Sequence, residues 1–227
     1  MQADGKRGAV LCGRDGAPIP DGEEALRIGD GQPFGDLACV IMASGLAKRF
    51  GGNKLTADFC GQPLIVRALD ATQGIFKARV AVTRHDDVAA LCAARGVDVI
   101  LHDLPGRNDT VRLGVEAAGA HRGILFLPGD QPLLRRETVA SLALCAADDP
   151  DAIWRAAHAG LPGSPVLFPR WAYGELLALP EGKGGSYVIA AHPDRVRLLE
   201  VKDARELMDA DTPQALARLA AMNRSDR

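Results

Sequence analysis

The sequence contains no run of roughly 18 apolar residues, the length a helix needs to cross a bilayer. Its first stretch, Met1 to Gly8, is charged and glycine-rich where a signal peptide would be apolar. Both absences point to a cytoplasmic protein without a membrane partner. A basic excess is missing too: 27 Lys and Arg stand against 29 Asp and Glu, a net charge of −2. A general nucleic-acid binder would normally carry surplus positive charge, so nucleic acid is excluded as a partner. The cysteines, Cys12, Cys39, Cys60, Cys92 and Cys145, are odd in number and widely spaced, with no Cys-x-x-Cys. They read as small buried hydrophobes in a reducing compartment. The histidines (His85, His102, His121, His158 and His192) stand singly, with no zinc-type spacing. Nor does the sequence justify a Ser-His-Asp arrangement around Ser44. No Gly-x-Gly-x-x-Gly dinucleotide fingerprint occurs.

What is present is an ordinary globular balance, 47% hydrophobic and 25% charged, over 227 residues. That length suits one substantial α/β domain, or two small ones. Residues 1–36 are rich in Gly, Asp and Pro and read as an N-terminal extension, poorly ordered or carrying a short strand. From Leu37 strand and helix signals alternate through residue 227. Strands are expected at 37–43, 79–83, 97–101, 124–127, 153–157, 165–168 and 196–201. Helices are expected at 63–72, 86–94, 110–118, 136–146, 171–179, 186–191 and 212–222. The alternation indicates a doubly wound, mostly parallel α/β sheet. Such sheets bind ligands beyond the carboxyl ends of their strands. This directs attention to the segments after Ala43 and Leu127 and to the loops near Gly106 and Asp211.

After Ala43 come Ser44, Gly45 and Leu46, then Lys48 and Arg49, then Gly51, Gly52 and Lys54. Glycines let backbone N–H groups approach phosphate oxygens, and the cations would neutralise their charge. A plain strand-to-helix turn with solvated cations accounts for the same residues. It is not a Walker A loop, because Leu55 follows Lys54 where a magnesium-binding hydroxyl belongs. After the apolar run Ile124–Leu127 stand Pro128, Gly129 and Asp130. The carboxylate is either a hard oxygen ligand for Mg²⁺ or a helix cap in a proline-bounded turn. Asp209 and Asp211 precede Thr212-Pro213, where Asp211 or Thr212 caps the last helix. Gly106, Asn108 and Thr110 sit at a helix start, suited to polar or anionic groups.

The stretch Val40 to Leu55 resembles the signature loop of the nucleotidyltransferases. Within that superfamily the chain resembles the molybdenum-cofactor cytidylyl- and guanylyltransferases, the MobA-like NTP transferases, over about residues 37–222. Ser44 departs from the Ala or Gly usual there. The resemblance implies a Rossmann-like, glycosyltransferase-A-like fold and a loop wrapped around a triphosphate. Arg49 and Lys54 would then offset charge on the phosphates, and Asp130, in Gly129-Asp130-Gln131-Pro132, would hold the catalytic Mg²⁺. Asp211 or Asp209 becomes a second metal or ribose contact, and Gly106, Asn108 and Thr110 border the base and ribose. Gly163, Ser164 and Lys183, in segments similar to the cytidylyl branch, would line the acceptor side. The implied reaction transfers NMP, with CTP favoured over GTP, to the phosphate of a pterin-type acceptor, molybdopterin. A molybdenum hydroxylase is then the partner that receives the product. The alternatives are the same chemistry on a sugar or alcohol phosphate, and a nucleotide- or cofactor-binding module without turnover.

Overall fold

The computed structural model describes residues 34–46 and 50–225. Lys48, Arg49 and nearly all of the N-terminal arm therefore lie outside the described residues. The strands of the central sheet are β1 (Phe34–Ala43), β2 (Phe76–Thr83), β3 (Asp98–Leu101), β4 (Gly123–Pro128), β5 (Ile153–His158), β6 (Leu161–Pro169) and β7 (Val196–Glu200). They form one seven-stranded sheet in the order β3-β2-β1-β4-β6-β5-β7. All neighbours pair in parallel except β6, which runs antiparallel to both β4 and β5. The helices are α1 (Ile65–Thr72), α2 (Asp86–Ala93), α3 (Arg107–Ala118), α4 (Arg136–Asp148), α5 (Tyr173–Leu177), α6 (Ser186–Ala191) and α7 (Pro213–Ser225).

Strand β1 shows why the sheet needs helices on both faces. Leu37, Cys39, Ile41 and Ala43 point into a core shared with α1, α2, α4 and α7. Ala38 and Val40 point the opposite way, into a core shared with α3, α5 and α6. A strand apolar on both faces must be covered twice, which is the physical content of double winding. The chain runs outward from β1 to β3 and returns to β4, so the switch point lies between β1 and β4. Their carboxyl ends are Ala43 and Pro128.

Three expectations are corrected. The strands expected at 153–157 and 165–168 are longer, Ile153–His158 and Leu161–Pro169. The β5–β6 hairpin closes on Ala159 and Gly160, both at positive φ (51° and 75°), and Leu161 already pairs with His158. Such two-residue turns favour Asn or Gly, so an alanine hid this one. The helix expected at 171–179 is a 3₁₀ turn, Arg170–Ala172, followed by the short α5. Cys60 is exposed, whereas Cys39, Cys92 and Cys145 are buried. Burial pushes the buried thiols up to about 12, 11 and 12, so they stay protonated and inert.

Candidate active site

The segment after β1 is tied to the sheet edge by side chains at and just beyond the ends of β2 and β3. Thr83 Oγ1 donates to the Ala43 carbonyl (3.0 Å), and His85 Nε2 lies 3.1 Å from the Gly45 carbonyl oxygen. Ser44 Oγ lies 3.0 Å from the Val82 carbonyl and 2.7 Å from His102 Nε2. A hydroxyl has one proton; with it on Val82, His102 donates from Nε2 to Ser44. Nδ1 is then left buried with no partner among the described residues. Desolvation, then the Arg84 charge, lowers the His102 pKa against a partial pull from Asp109 and Asp103. The serine that departs from the resembled family is thus held by a histidine that the sequence reading left unassigned. A separation of 58 positions along the chain concealed the pair.

Lys54 opens a 3₁₀ turn, Lys54–Thr56, whose N-cap Asn53 accepts from Leu55 N (3.2 Å). The turn aims the lysine inward, where it is only 9% exposed. Its ammonium bonds to Asp130 Oδ2 and to Asp211 Oδ1, the latter at 3.0 Å. Burial alone would lower the Lys54 pKa, but the charges and hydrogen bonds of Asp130 and Asp211 outweigh it, and the value rises. Asp130 is placed by the end of β4 through Gly129, whose N–H donates to the Met42 carbonyl (3.0 Å). A Cβ on Gly129 would come 2.8 Å from Ile65 Cδ1, so a side chain there would have to displace the packed end of Ile65. Asp130 therefore does not cap a helix. Thr212 does, accepting from Ala215 N (3.1 Å), which leaves Asp211 directed at Lys54.

Asp209 lies beside this group, where Gln131 Nε2 donates to it at 3.1 Å. Desolvation first, then the Asp130 and Asp211 carboxylates, raise its pKa. Among the described residues no group of three or more His, Cys, Asp or Glu side chains could hold a metal ion unaided. Asp130 and Asp211 offer two carboxylates from separate segments. Mg²⁺ commonly takes one or two carboxylates and completes its shell with substrate phosphates and water. The donor chemistry present therefore fits a magnesium–triphosphate rather than a free-standing metal centre.

A cleft of about 640 Å³ opens over the sheet edge. Of the expected residues, Ser44, Gly45, Leu46, Lys54, Gly106 and Thr110 line it, as do Asp130, Ser164, Asp209 and Asp211. Ala43 and Gly129 are buried just behind its wall. Others are not brought to it. Gly51 and Gly52 form an exposed turn with Gly51 at φ 77°, and Lys183 is exposed in another turn. Asn108 Oδ1 accepts from Gly182 N (3.0 Å). Gly163 lies behind Ser164, where its carbonyl accepts from Arg155. Arg84, Arg107 and Arg155 line the cleft without having been expected there. For Arg155 a signal existed: it is the one charged residue in the run Ile153–Ala157.

A phosphate-type loop after β1, a carboxylate after β4 and a lysine between carboxylates, all at the switch point, define a nucleotide-handling α/β protein. The model of the MobA-like NTP transferase domain matches residues 39–196, and the chain belongs to that family. The 3-deoxy-manno-octulosonate cytidylyltransferase of Neisseria meningitidis serogroup A is 29% identical over 110 residues, 46% of this chain and 44% of that protein. A probable molybdenum cofactor guanylyltransferase of Aquifex aeolicus is 28% identical over 104 residues, 44% of this chain and 49% of that protein. The chain thus matches less than half the length of these curated relatives. Rv0371c from Mycobacterium tuberculosis H37Rv shares the fold at TM-score 0.73 and 24% identity, over 82% of this chain and 98% of that one. So does a CMP:2-keto-3-deoxy-manno-octonic acid synthetase complexed with CTP, at 0.71 and 16%, over 85% of this chain and all (100%) of that one.

Proposed function

We propose that this protein is a magnesium-dependent nucleotidyltransferase that moves CMP from CTP to the phosphate of a molybdopterin-type acceptor. The observation that carries this reading is the Lys54 ammonium clasped by Asp130 and Asp211 at the mouth of the β1–β4 switch point. An acceptor oxygen attacks the α-phosphorus in line, the bond from α-phosphorus to the bridging oxygen breaks, and pyrophosphate leaves. Mg²⁺, held by Asp130 and Asp211, would supply charge neutralisation on the phosphates. The rest is positioning, because phosphoryl-type transfer asks little covalent work of the protein. Backbone N–H groups of Ser44, Gly45 and Leu46 would cradle the triphosphate. Lys54, released from its carboxylates by the incoming anion, would offset negative charge that develops on the leaving pyrophosphate. Gly106 and Thr110, at the start of α3, would border the base and ribose.

The family supports a nucleoside triphosphate as donor. A second reading keeps the donor and changes the acceptor to a sugar acid or sugar phosphate, favoured by the cytidylyltransferase relatives named above. Pyrophosphate release decides between them. The full chain is assayed with Mg²⁺ and CTP, GTP, ATP or UTP, alone, with molybdopterin, and with 3-deoxy-manno-octulosonate. Release with CTP and molybdopterin is the expected result. Release only with the sugar acid moves the assignment to the second reading. A protein that binds nucleotide yet releases none with any acceptor is a binding module.

A further inference from the structure

Within β5, Arg155 is the one charged residue in the buried run Ile153–Ala157. Around Arg155, the residues Ile153, Trp154, Ala156 and Ala157 are buried, and its register partners Val166 and Leu198 are apolar. Arg155 itself turns into the cleft, on the wall it shares with Ser164 and Val166. Nε and Nη2 both donate to the Gly163 carbonyl, at 3.3 and 3.1 Å. Nη1 makes no hydrogen bond among the described residues, and no carboxylate there forms an ion pair with Arg155. Desolvation lowers its pKa, with no acid to oppose it.

The contrast with Lys54 is direct. Two carboxylates neutralise Lys54, whereas Arg155 is a partly desolvated cation with no counter-ion among the described residues. An arrangement of that kind is costly unless an anion arrives to complete it. Its position is fixed through Gly163. A Cβ on Gly163 would meet Leu207 Cδ1 at 3.1 Å, and Gln131 Nε2 bonds both the Leu207 carbonyl and Asp209. Arg155 thus stands on the Asp209 side of the cleft, behind Ser164, on β5 rather than on the β1 loop.

We propose that Arg155 is the specificity-determining residue of the acceptor subsite, binding a carboxylate or phosphate group of the acceptor through its free N–H edge. The Gly163 carbonyl fixes the plane of the guanidinium. The remaining fork, Nη1 and the second hydrogen of Nη2, presents the paired donors that a carboxylate or a phosphate takes. Ser164 would add a hydroxyl beside it. Neutral acceptors would leave the charge unmatched and be rejected. The assignment rests on the transferase reading for the word acceptor, but the anion subsite itself can be tested without turnover.

The test is an NMR titration of the full chain with inorganic phosphate and, separately, with acetate. The Arg155 Nε–H and Ser164 amide resonances are followed, with and without Mg²⁺ and a non-transferable methylene analogue of CTP. Both resonances are expected to shift with at least one of the anions, and the preferred anion tells phosphate from carboxylate. Arg155→Gln should raise the anion concentration needed for half the Ser164 shift at least ten-fold, and Arg155→Lys should raise it less. Affinity for the CTP analogue should change by less than two-fold. An unperturbed Ser164 amide in the wild type overturns the proposal, as does an Arg155→Gln protein that retains its fold and titrates like the wild type. Failure of the analogue to bind would instead count against the transferase reading, while the nucleotide-free titration still decides for or against Arg155.

Discussion

The two halves of the cleft are built on opposite electrostatic plans. On the β1–β4 side every principal group is already engaged: Lys54 with Asp130 and Asp211, Ser44 with His102 and Val82, Asp209 with Gln131. On the β5–β6 side Arg155 hydrogen-bonds only the Gly163 carbonyl among the described residues. A pre-bonded cluster keeps its geometry before substrate arrives, and it must exchange its internal bonds when substrate binds. A lone desolvated cation waits for charge. The first arrangement suits a ligand that brings its own metal ion, the second a ligand that brings a bare anion.

The largest effect should come from dismantling the pre-bonded side. Lys54→Ala or Asp130→Ala is expected to lower nucleotide transfer by about 10³-fold, in the range for losing one charge-stabilising group. Circular dichroism should show an unchanged fold, and wild-type turnover in either variant would sink the site assignment. Asp211→Asn removes one of the two carboxylate charges that Lys54 meets, and the loss in kcat/KM should be smaller, roughly 10- to 100-fold as for groups that orient a metal or its ligands.

Gly129→Ala probes the floor beneath both halves. The added methyl meets Ile65 Cδ1 at 2.8 Å and the Met42 carbonyl at 3.3 Å. Overpacking of this kind should cost about 1–3 kcal/mol in urea unfolding, with activity falling as Asp130 shifts.

His102 makes a pH-dependent prediction. Its folded pKa lies below the unfolded value of 6.5. Above both values it is neutral in either state and has no effect on the balance. As the pH falls below 6.5 the unfolded chain takes up a proton that the folded protein resists, and stability is lost. Melting temperatures measured from pH 8 to pH 5 should therefore fall more for the wild type than for His102→Gln. The smallest effect belongs to Lys183→Ala. Exposed and away from the cleft wall, it should change acceptor KM by less than about two-fold, the margin for an unperturbing surface change. A large rise would show that the acceptor side extends beyond Arg155.

Most of the fold was legible because both signals that specify it are local. Apolar runs such as Ile124–Leu127 are short, bounded by Pro or Gly, and buried on both faces, so they read as parallel strands. The failures were also local. Ala159 occupies a positive φ that its side chain gives no reason to expect, and the 3₁₀ turn at Arg170–Ala172 shortened a helix by tightening its start. For the site, sequence could nominate Lys54, Asp130, Asp209 and Asp211 as residues at strand ends and loop starts. It could not say that Lys54 lies between two of those carboxylates, 76 and 157 residues away along the chain. Gly51, Gly52, Asn108 and Lys183 satisfied the same local criteria and were turned elsewhere.

By itself, then, the sequence determined the alternation of elements, the double burial of β1, and hence a sheet with its ligand edge after Ala43 and Leu127. Periodicity and chain punctuation are written residue by residue. Only the tertiary structure decided which charges meet. Pairing Ser44 with His102, clasping Lys54 and setting Arg155 against the Gly163 carbonyl all depend on strand order and on where separate loops end. Those are properties of the packed sheet that no short window of the chain contains.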